Sequence, residues 1–148
     1  MIKTTKKIQI VNGPNLNMLG KREPEIYGSL SLDQINHDLA QNATPLGLEL
    51  DFFQSSHEGA IVDKIHDNFN VKIDGVIINP GAFTHTSIAI RDALLLLSCP
   101  IIEIHLSNIY KREAFRHKSM LADIVTGQIS GFGAYGYQMA LNAMADMI

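Results

Sequence analysis

Five short apolar runs recur along this 148-residue chain, each followed by a stretch with helical periodicity or turn signals, and that alternation restricts the fold more than any other feature. Strands are predicted over 8–11, 48–53, 75–79, 101–105 and 128–130, and helices over 32–46, 58–69, 86–97 and 135–147, with an irregular or short helical piece over 112–121. Gly75-Val76-Ile77-Ile78 and Ile101-Ile102 are continuously apolar instead of alternating, as parallel strands covered on both faces must be. Leu32, Ile35 and Leu39 fall at i, i+3 and i+7 and predict one buried stripe on the first helix. Ser31-x-x-Gln34 and Ser55-x-x-Glu58 carry capping-box spacing and place two helix starts.

Repeated strand–helix units predict an α/β protein with a doubly wound parallel sheet, and five strands favour the flavodoxin-like order 2-1-3-4-5. A chain of 148 residues suits a single domain, 1–148, with a core that needs no disulfide or metal to hold it. The single cysteine, Cys99, excludes an internal disulfide and, standing before Pro100 and Ile101-Ile102, reads as a buried strand entry. A net charge of −3, with no Lys/Arg stripe beyond the first residues and the 111–118 segment, argues against nucleic acid and leaves room for a small anionic ligand. The basic start over 1–7 precedes too short an apolar run for a secretory signal, and the longest pure apolar run, 93–97, cannot cross a bilayer. A cytoplasmic protein without a membrane partner is the expectation.

In a 2-1-3-4-5 sheet, ligands bind beyond the carboxyl ends of the strands where the order reverses, between the first and third. The unusual polar residues of this chain fall there. The long loop after the first strand holds Asn15, Arg22 and Tyr27; Asn79-Pro80-Gly81-Ala82-Phe83-Thr84-His85 follows the third; Glu103-Ile104-His105-Leu106-Ser107-Asn108 closes the fourth. Loops of such length in compact domains are commonly lids or binding loops. Glu103 and His105, two apart on a strand, project to one face, where a carboxylate fixes the tautomer of an imidazole and suits it to act as a general acid. Tyr27, whose unperturbed pKa is ~10, reads either as an aromatic loop anchor hydrogen-bonded through its hydroxyl or, where a cation such as Arg22 stabilises its phenolate, as a base. Thr86 and Ser87 are placed to cap a helix, Asn79 to orient a polar group, and the amides of Leu106 and Ser107 to hold a carboxylate.

These residues come in runs, and the runs are specific. Gly13-Pro14-Asn15-Leu16-Asn17, Gly20-Lys21-Arg22-Glu23-Pro24-x-x-Tyr27-Gly28, Asn79-Pro80-Gly81-Ala82-Phe83-Thr84-His85-Thr86-Ser87, Ile102-Glu103-Ile104-His105-Leu106-Ser107-Asn108 and Gly131-x-Gly133-x-x-Gly136-Tyr137 follow in order from about Ile8 to the last helix. In them the chain resembles the type II 3-dehydroquinate dehydratases of the shikimate pathway. The resemblance implies a flavodoxin-like fold, a homododecamer built as a tetramer of trimers, and elimination of water from 3-dehydroquinate without cofactor, metal or Schiff base. It implies Tyr27 as proton acceptor, Arg22 as the residue that lowers its pKa, His105 as proton donor to the departing hydroxyl, Asn15 with an ordered water on the enolate, and Glu103 as the group orienting His105. Substrate contacts implied in the same way are Asn79, His85, Leu106, Ser107 and Arg116, with Asp92 reaching a neighbouring subunit's site. Lys21 stands where many relatives have Arg, and Phe83 where Tyr is common; neither touches an expected proton transfer.

Two other classes are weighed against this. A flavodoxin-like binding module without catalysis needs a Ser/Thr- and Gly-rich phosphate turn or an acidic cluster after the first strand, where this chain has Pro14, Arg22 and Tyr27. A serine hydrolase needs a G-x-S-x-G elbow, which the sequence lacks. A metal held by His85, Glu103 and His105 finds no support in HExxH-type or Cys/His spacing.

Overall fold

The computed structural model describes residues 4–21, 25 and 29–148. Five parallel strands, β1 (Lys6–Asn12), β2 (Leu48–Gln54), β3 (Gly75–Asn79), β4 (Ile101–His105) and β5 (Gly127–Ser130), form one sheet in the order β2-β1-β3-β4-β5. This is the order expected from the sequence. Four α-helices are described: α1 (Leu32–Ala43), α2 (Glu58–Val71), α3 (Ile88–Leu94) and α4 (Tyr135–Met147).

The pleat divides the apolar strand residues between two layers. Ile8, Ile10, Ile77, Ile102 and Ile104 meet α1 and α4 through Ile35, Leu39, Leu141 and Met144. Val11, Val76, Ile78 and Ile101 meet α2 and α3 through Ile61, Ile65, Ile90 and Leu94. The stripe of Leu32, Ile35 and Leu39 is buried, and Ser31 makes the full capping box with Gln34.

Helix boundaries depart from the sequence expectation where local chemistry intervenes. α1 stops at Ala43, and Pro45, which has no amide hydrogen to donate, turns the chain into a 3-10 turn over Thr44–Leu46. The Ser55 capping box does not form, because the Ser55 amide still donates to the Asn12 carbonyl at 3.0 Å and the chain is extended there; α2 nevertheless starts at Glu58, as expected, and runs on to Val71. The helix expected over 86–97 shortens to seven residues: Ser87 caps α3 by accepting from the Ile90 amide at 2.9 Å, and past Leu94 the Leu96 and Leu97 amides donate only three residues back, to Ala93 and Leu94, each at 3.1 Å. The 112–121 segment holds a 3-10 turn, Ala114–Arg116, and otherwise irregular chain, and its Ser119 lies against Glu103 of β4. Cys99 is half-buried, not enclosed, and burial pushes its thiol pKa up.

Two contacts bring the carboxyl ends of β1 and β3 together. The Gly13 amide donates to the Asn79 carbonyl at 2.8 Å, and a Cβ on Gly13 would lie 2.2 Å from the Pro80 carbonyl oxygen. Behind them, the buried Tyr137 hydroxyl of α4 donates to the Asn12 side-chain oxygen and accepts from Asn79 Nδ2 at 3.2 Å. Burial pushes the Tyr137 phenol pKa far up, so it stays a neutral donor. Gly13→Ala forces backbone against backbone at this junction and is expected to cost roughly 2–3 kcal/mol of stability in urea unfolding. A loss under about 0.5 kcal/mol would mean that the two loops part freely.

Candidate active site

Beyond β1, β3 and β4 lies a cavity of about 170 Å³, lined among others by Asn15, Asn79, His85, His105, Leu106, Ser107, Arg112 and Arg116. Seven of the residues singled out in the sequence therefore share one cleft at the switch point. Arg22 and Tyr27 lie outside the described residues. Asp92 sits exposed on α3, outside the cleft of its own chain.

Asn15 enters the cleft from a left-handed backbone conformation, φ 70°, and its carbonyl accepts the Met18 amide at 3.0 Å to start the 3-10 turn Leu16–Met18. Asparagine is among the few side chains that adopt this conformation readily, so the turn accounts for the residue type as well as any ligand does. Across the junction, Asn79 Oδ1 accepts the Gly81 amide at 3.2 Å while Nδ2 is directed to Tyr137. The amide expected to orient a ligand is thus first oriented by the protein.

Glu103 and His105 form the buried pair expected from their spacing: His105 Nε2 donates to Glu103 Oε2 at 2.6 Å. The carboxylate is fully buried, and three further side chains donate to it: Thr84 Oγ1 at 2.7 Å, Ser119 Oγ at 2.9 Å to each oxygen, and Gln128 Nε2 at 3.0 Å. Burial alone raises the pKa of a carboxyl group, but the hydrogen bonds from His105, Thr84 and Ser119 outweigh it and hold Glu103 below the usual range. With Nε2 engaged, Nδ1 of His105 is the ring nitrogen left for chemistry.

His85 stacks beside His105, the ring centroids 6.4 Å apart and the planes at 20°. Its Nδ1 lies 2.9 Å from the Lys118 carbonyl, which can only accept, so Nδ1 carries the hydrogen and Nε2 is an acceptor in the neutral ring. Desolvation lowers the His85 pKa against the raising effect of that carbonyl, and the neighbouring His105 and Arg116 lower it further. Arg116 is paired with Glu113 at 3.1 Å, and Arg112 reaches Ser107 Oγ at 3.4 Å. Two guanidiniums and an imidazole pair lining one cleft suit a small anion that gains or loses protons.

Thr84, Arg112, Ser119, Gln128 and Tyr137 were not assigned roles from sequence. Arg112 belongs to the basic run at 111–112, but an irregular segment has no period to say where its side chains point. Thr84, Ser119 and Gln128 lie 19, 16 and 25 residues from the carboxylate they hold, beyond the reach of any local pattern. Among the described residues no three His, Cys, Asp or Glu side chains gather as a metal-binding group.

An α/β enzyme that moves protons on an anionic substrate is the class of protein this sheet and cleft define. A family model described as Dehydroquinase class II matches residues 6–145. The 3-dehydroquinate dehydratase of Endomicrobium trichonymphae is 57% identical over 143 residues, covering 97% of this chain and 99% of that protein. The 3-dehydroquinate dehydratase of Halothermothrix orenii is 51% identical over 142 residues, 96% of this chain and 95% of that one. The crystal structure of a type II dehydroquinase from Propionibacterium acnes superposes with a TM-score of 0.93 at 42% identity, covering 98% of this chain and 99% of that chain. The chain belongs to the class II dehydroquinase family, and it is a hydro-lyase. A non-catalytic flavodoxin-like binding module is accordingly not favoured.

Glu103→Gln keeps the shape of the side chain but turns one acceptor oxygen into a donor among donors, and is expected to cost about 1–3 kcal/mol at neutral pH. Because the folded pKa of Glu103 lies below its unfolded value, the wild-type advantage is complete above the ordinary carboxylate pKa of ~4.3 and is lost as pH falls through the folded value. Urea unfolding of both proteins at neutral pH and near pH ~3 reads this difference; an advantage that grows on acidification contradicts it.

Proposed function

We infer that this chain catalyses the elimination of water from 3-dehydroquinate to give 3-dehydroshikimate, a step of the shikimate pathway. The observation that carries the reading is His105, clamped through Nε2 by a buried carboxylate, in a cleft it shares with Asn15, His85 and Arg116. The substrate is a β-hydroxy ketone bearing a carboxylate, so the reaction calls for a base at C2, a stabiliser for the enolate oxygen and an acid for the C1 hydroxyl.

In the proposed mechanism Tyr27, its pKa lowered by Arg22, takes the C2 proton as phenolate. The electrons move onto the carbonyl oxygen, where Asn15 and a water molecule stabilise the enolate. The enolate then re-forms the carbonyl as the C1=C2 bond forms and the C1–O bond breaks in the anti sense, and His105 delivers a proton from Nδ1 to the departing hydroxyl, which leaves as water. Glu103 keeps the opposite ring nitrogen occupied and compensates the imidazolium charge. The substrate carboxylate falls to Leu106 and Ser107, and its hydroxyls to Asn79, His85 and Arg116. No metal, cofactor or lysine Schiff base takes part, and residues 1–148 act as one catalytic domain.

We also propose that the active form is a homododecamer, a tetramer of trimers, in the cytoplasm. Exposed Ile88, Leu95 and Leu96 flank Asp92 on and just after α3, an apolar surface that suits a subunit contact. No helix among the described residues is long and apolar enough to cross a membrane.

Ultraviolet detection of 3-dehydroshikimate tests the reaction directly. Turnover is expected to survive chelator and borohydride with substrate, and Tyr27→Phe is expected to abolish it while substrate still binds; wild-type turnover in that variant removes Tyr27 from the mechanism. Mixing inactive Asp92→Ala and Tyr27→Phe proteins under subunit exchange is expected to restore part of the activity, because some sites then combine an intact Tyr27 with a neighbour's intact Asp92. No restoration would remove Asp92 from the shared site.

A further inference from the structure

The segment after Arg116 touches His85, Glu103 and Thr84 through three consecutive residues. The Lys118 carbonyl lies 2.9 Å from His85 Nδ1, Ser119 Oγ donates to both oxygens of Glu103 at 2.9 Å, and the Met120 amide donates to the Thr84 carbonyl at 2.7 Å. This stretch is itself anchored. Arg91 of α3 donates to the Met120 carbonyl at 2.8 Å and grips the Asp123 carboxylate with both terminal guanidinium nitrogens. The Ser119 oxygen accepts the Leu121 amide at 3.0 Å and lies 3.3 Å from Thr84 Oγ1, whose own hydrogen goes to Glu103 Oε2, which leaves the Ser119 hydrogen for the carboxylate.

We propose that Ser119 is a positioning residue for the general acid, acting through the Glu103 carboxylate on the orientation of His105. This rests on His105 being the acid of the dehydration inferred above. Ser119 is the one of the three partners beside His105 that can satisfy both carboxylate oxygens with a single hydrogen, the others binding one oxygen each. By bridging the two oxygens it opposes rotation of the carboxylate about its terminal bond, and Oε2 is the oxygen that holds His105 Nε2. Losing the bridge frees that rotation, loosens the imidazole and makes the carboxylate easier to protonate.

The groups that titrate near Glu103, among the described residues, are His105 on β4 and His85 after β3; Arg116 adds a fixed positive charge beside His85, and β5 contributes the neutral Gln128. A readout of the Glu103 carboxyl itself separates its titration from theirs.

The test compares wild type, Ser119→Ala and Ser119→Thr in the full-length protein. Steady-state turnover of 3-dehydroquinate is measured across pH, and the Glu103 carboxyl is followed by 13C NMR in protein labelled at glutamate carboxyl carbons, its signal assigned by its absence from Glu103→Gln. In Ser119→Ala the carboxyl midpoint is expected to rise by about one pH unit, the acidic limb of kcat to move up with it, and kcat to fall about tenfold with KM within about twofold. Ser119→Thr, which keeps the hydroxyl, is expected to restore all three. An alanine variant with either its carboxyl midpoint or its kcat unchanged overturns the proposal, as does a threonine variant that fails to restore them. If wild type itself does not turn over 3-dehydroquinate, the functional reading fails and takes with it the role of Ser119 in that reaction, while the carboxyl titration still decides whether Ser119 governs Glu103.

Discussion

A fully buried carboxylate next to an imidazole is the arrangement on which this cleft depends, because Glu103 can remain charged inside the protein only while donors surround it. Those donors come from four places in the chain: Thr84 from the turn after β3, His105 from β4 itself, Ser119 from the segment that follows, and Gln128 from β5. Losing any one of them leaves part of a buried charge uncompensated, so the loops around the site are bound to the sheet electrostatically as well as by packing. The irregular 118–121 stretch supplies one of those donors, presenting the Ser119 hydroxyl to the carboxylate.

The other organising contact is the close approach of the loops after β1 and β3. Parallel strands in the order β2-β1-β3-β4-β5 send the connections from β1 and β3 to opposite faces of the sheet, which opens a crevice between them. Gly13 against Pro80, the Gly13 amide on the Asn79 carbonyl, and the Tyr137 hydroxyl between Asn12 and Asn79 fix the floor of that crevice. Asn79 therefore reaches the cleft with its amide already oriented, and His85 with its tautomer already chosen by the Lys118 carbonyl. Little reorganisation is left for binding among these groups, which is what a site that stabilises developing charge requires.

Much of this is legible in the sequence. The continuous apolar runs 75–78 and 101–102 marked covered parallel strands, the two-residue spacing of Glu103 and His105 put them on one face, and Ser31-x-x-Gln34 placed the start of α1. Two local signals do not carry through. Ser55 has the spacing of a cap, yet its amide is taken by Asn12 in the neighbouring strand, and α2 starts at Glu58, as expected, without that capping box. The apolar pattern over 86–97 is longer than the seven residues that become α3, because after Leu94 the Leu96 and Leu97 amides turn to carbonyls three residues back.

The sequence by itself determined the class of fold, the sheet order, the family motifs and the pairing of Glu103 with His105, because each of these is written in spacings of a few residues that the period of a strand or helix converts directly into geometry. The tertiary structure alone decided that Thr84, Ser119 and Gln128 meet on one carboxylate, that Tyr137 reaches Asn12 across 125 residues, and that Arg112 joins Arg116 at the cleft. Those contacts have no local signature. They exist because burying the apolar faces of the sheet closes the chain on itself, and the polar groups carried along must then find partners wherever the fold has put them.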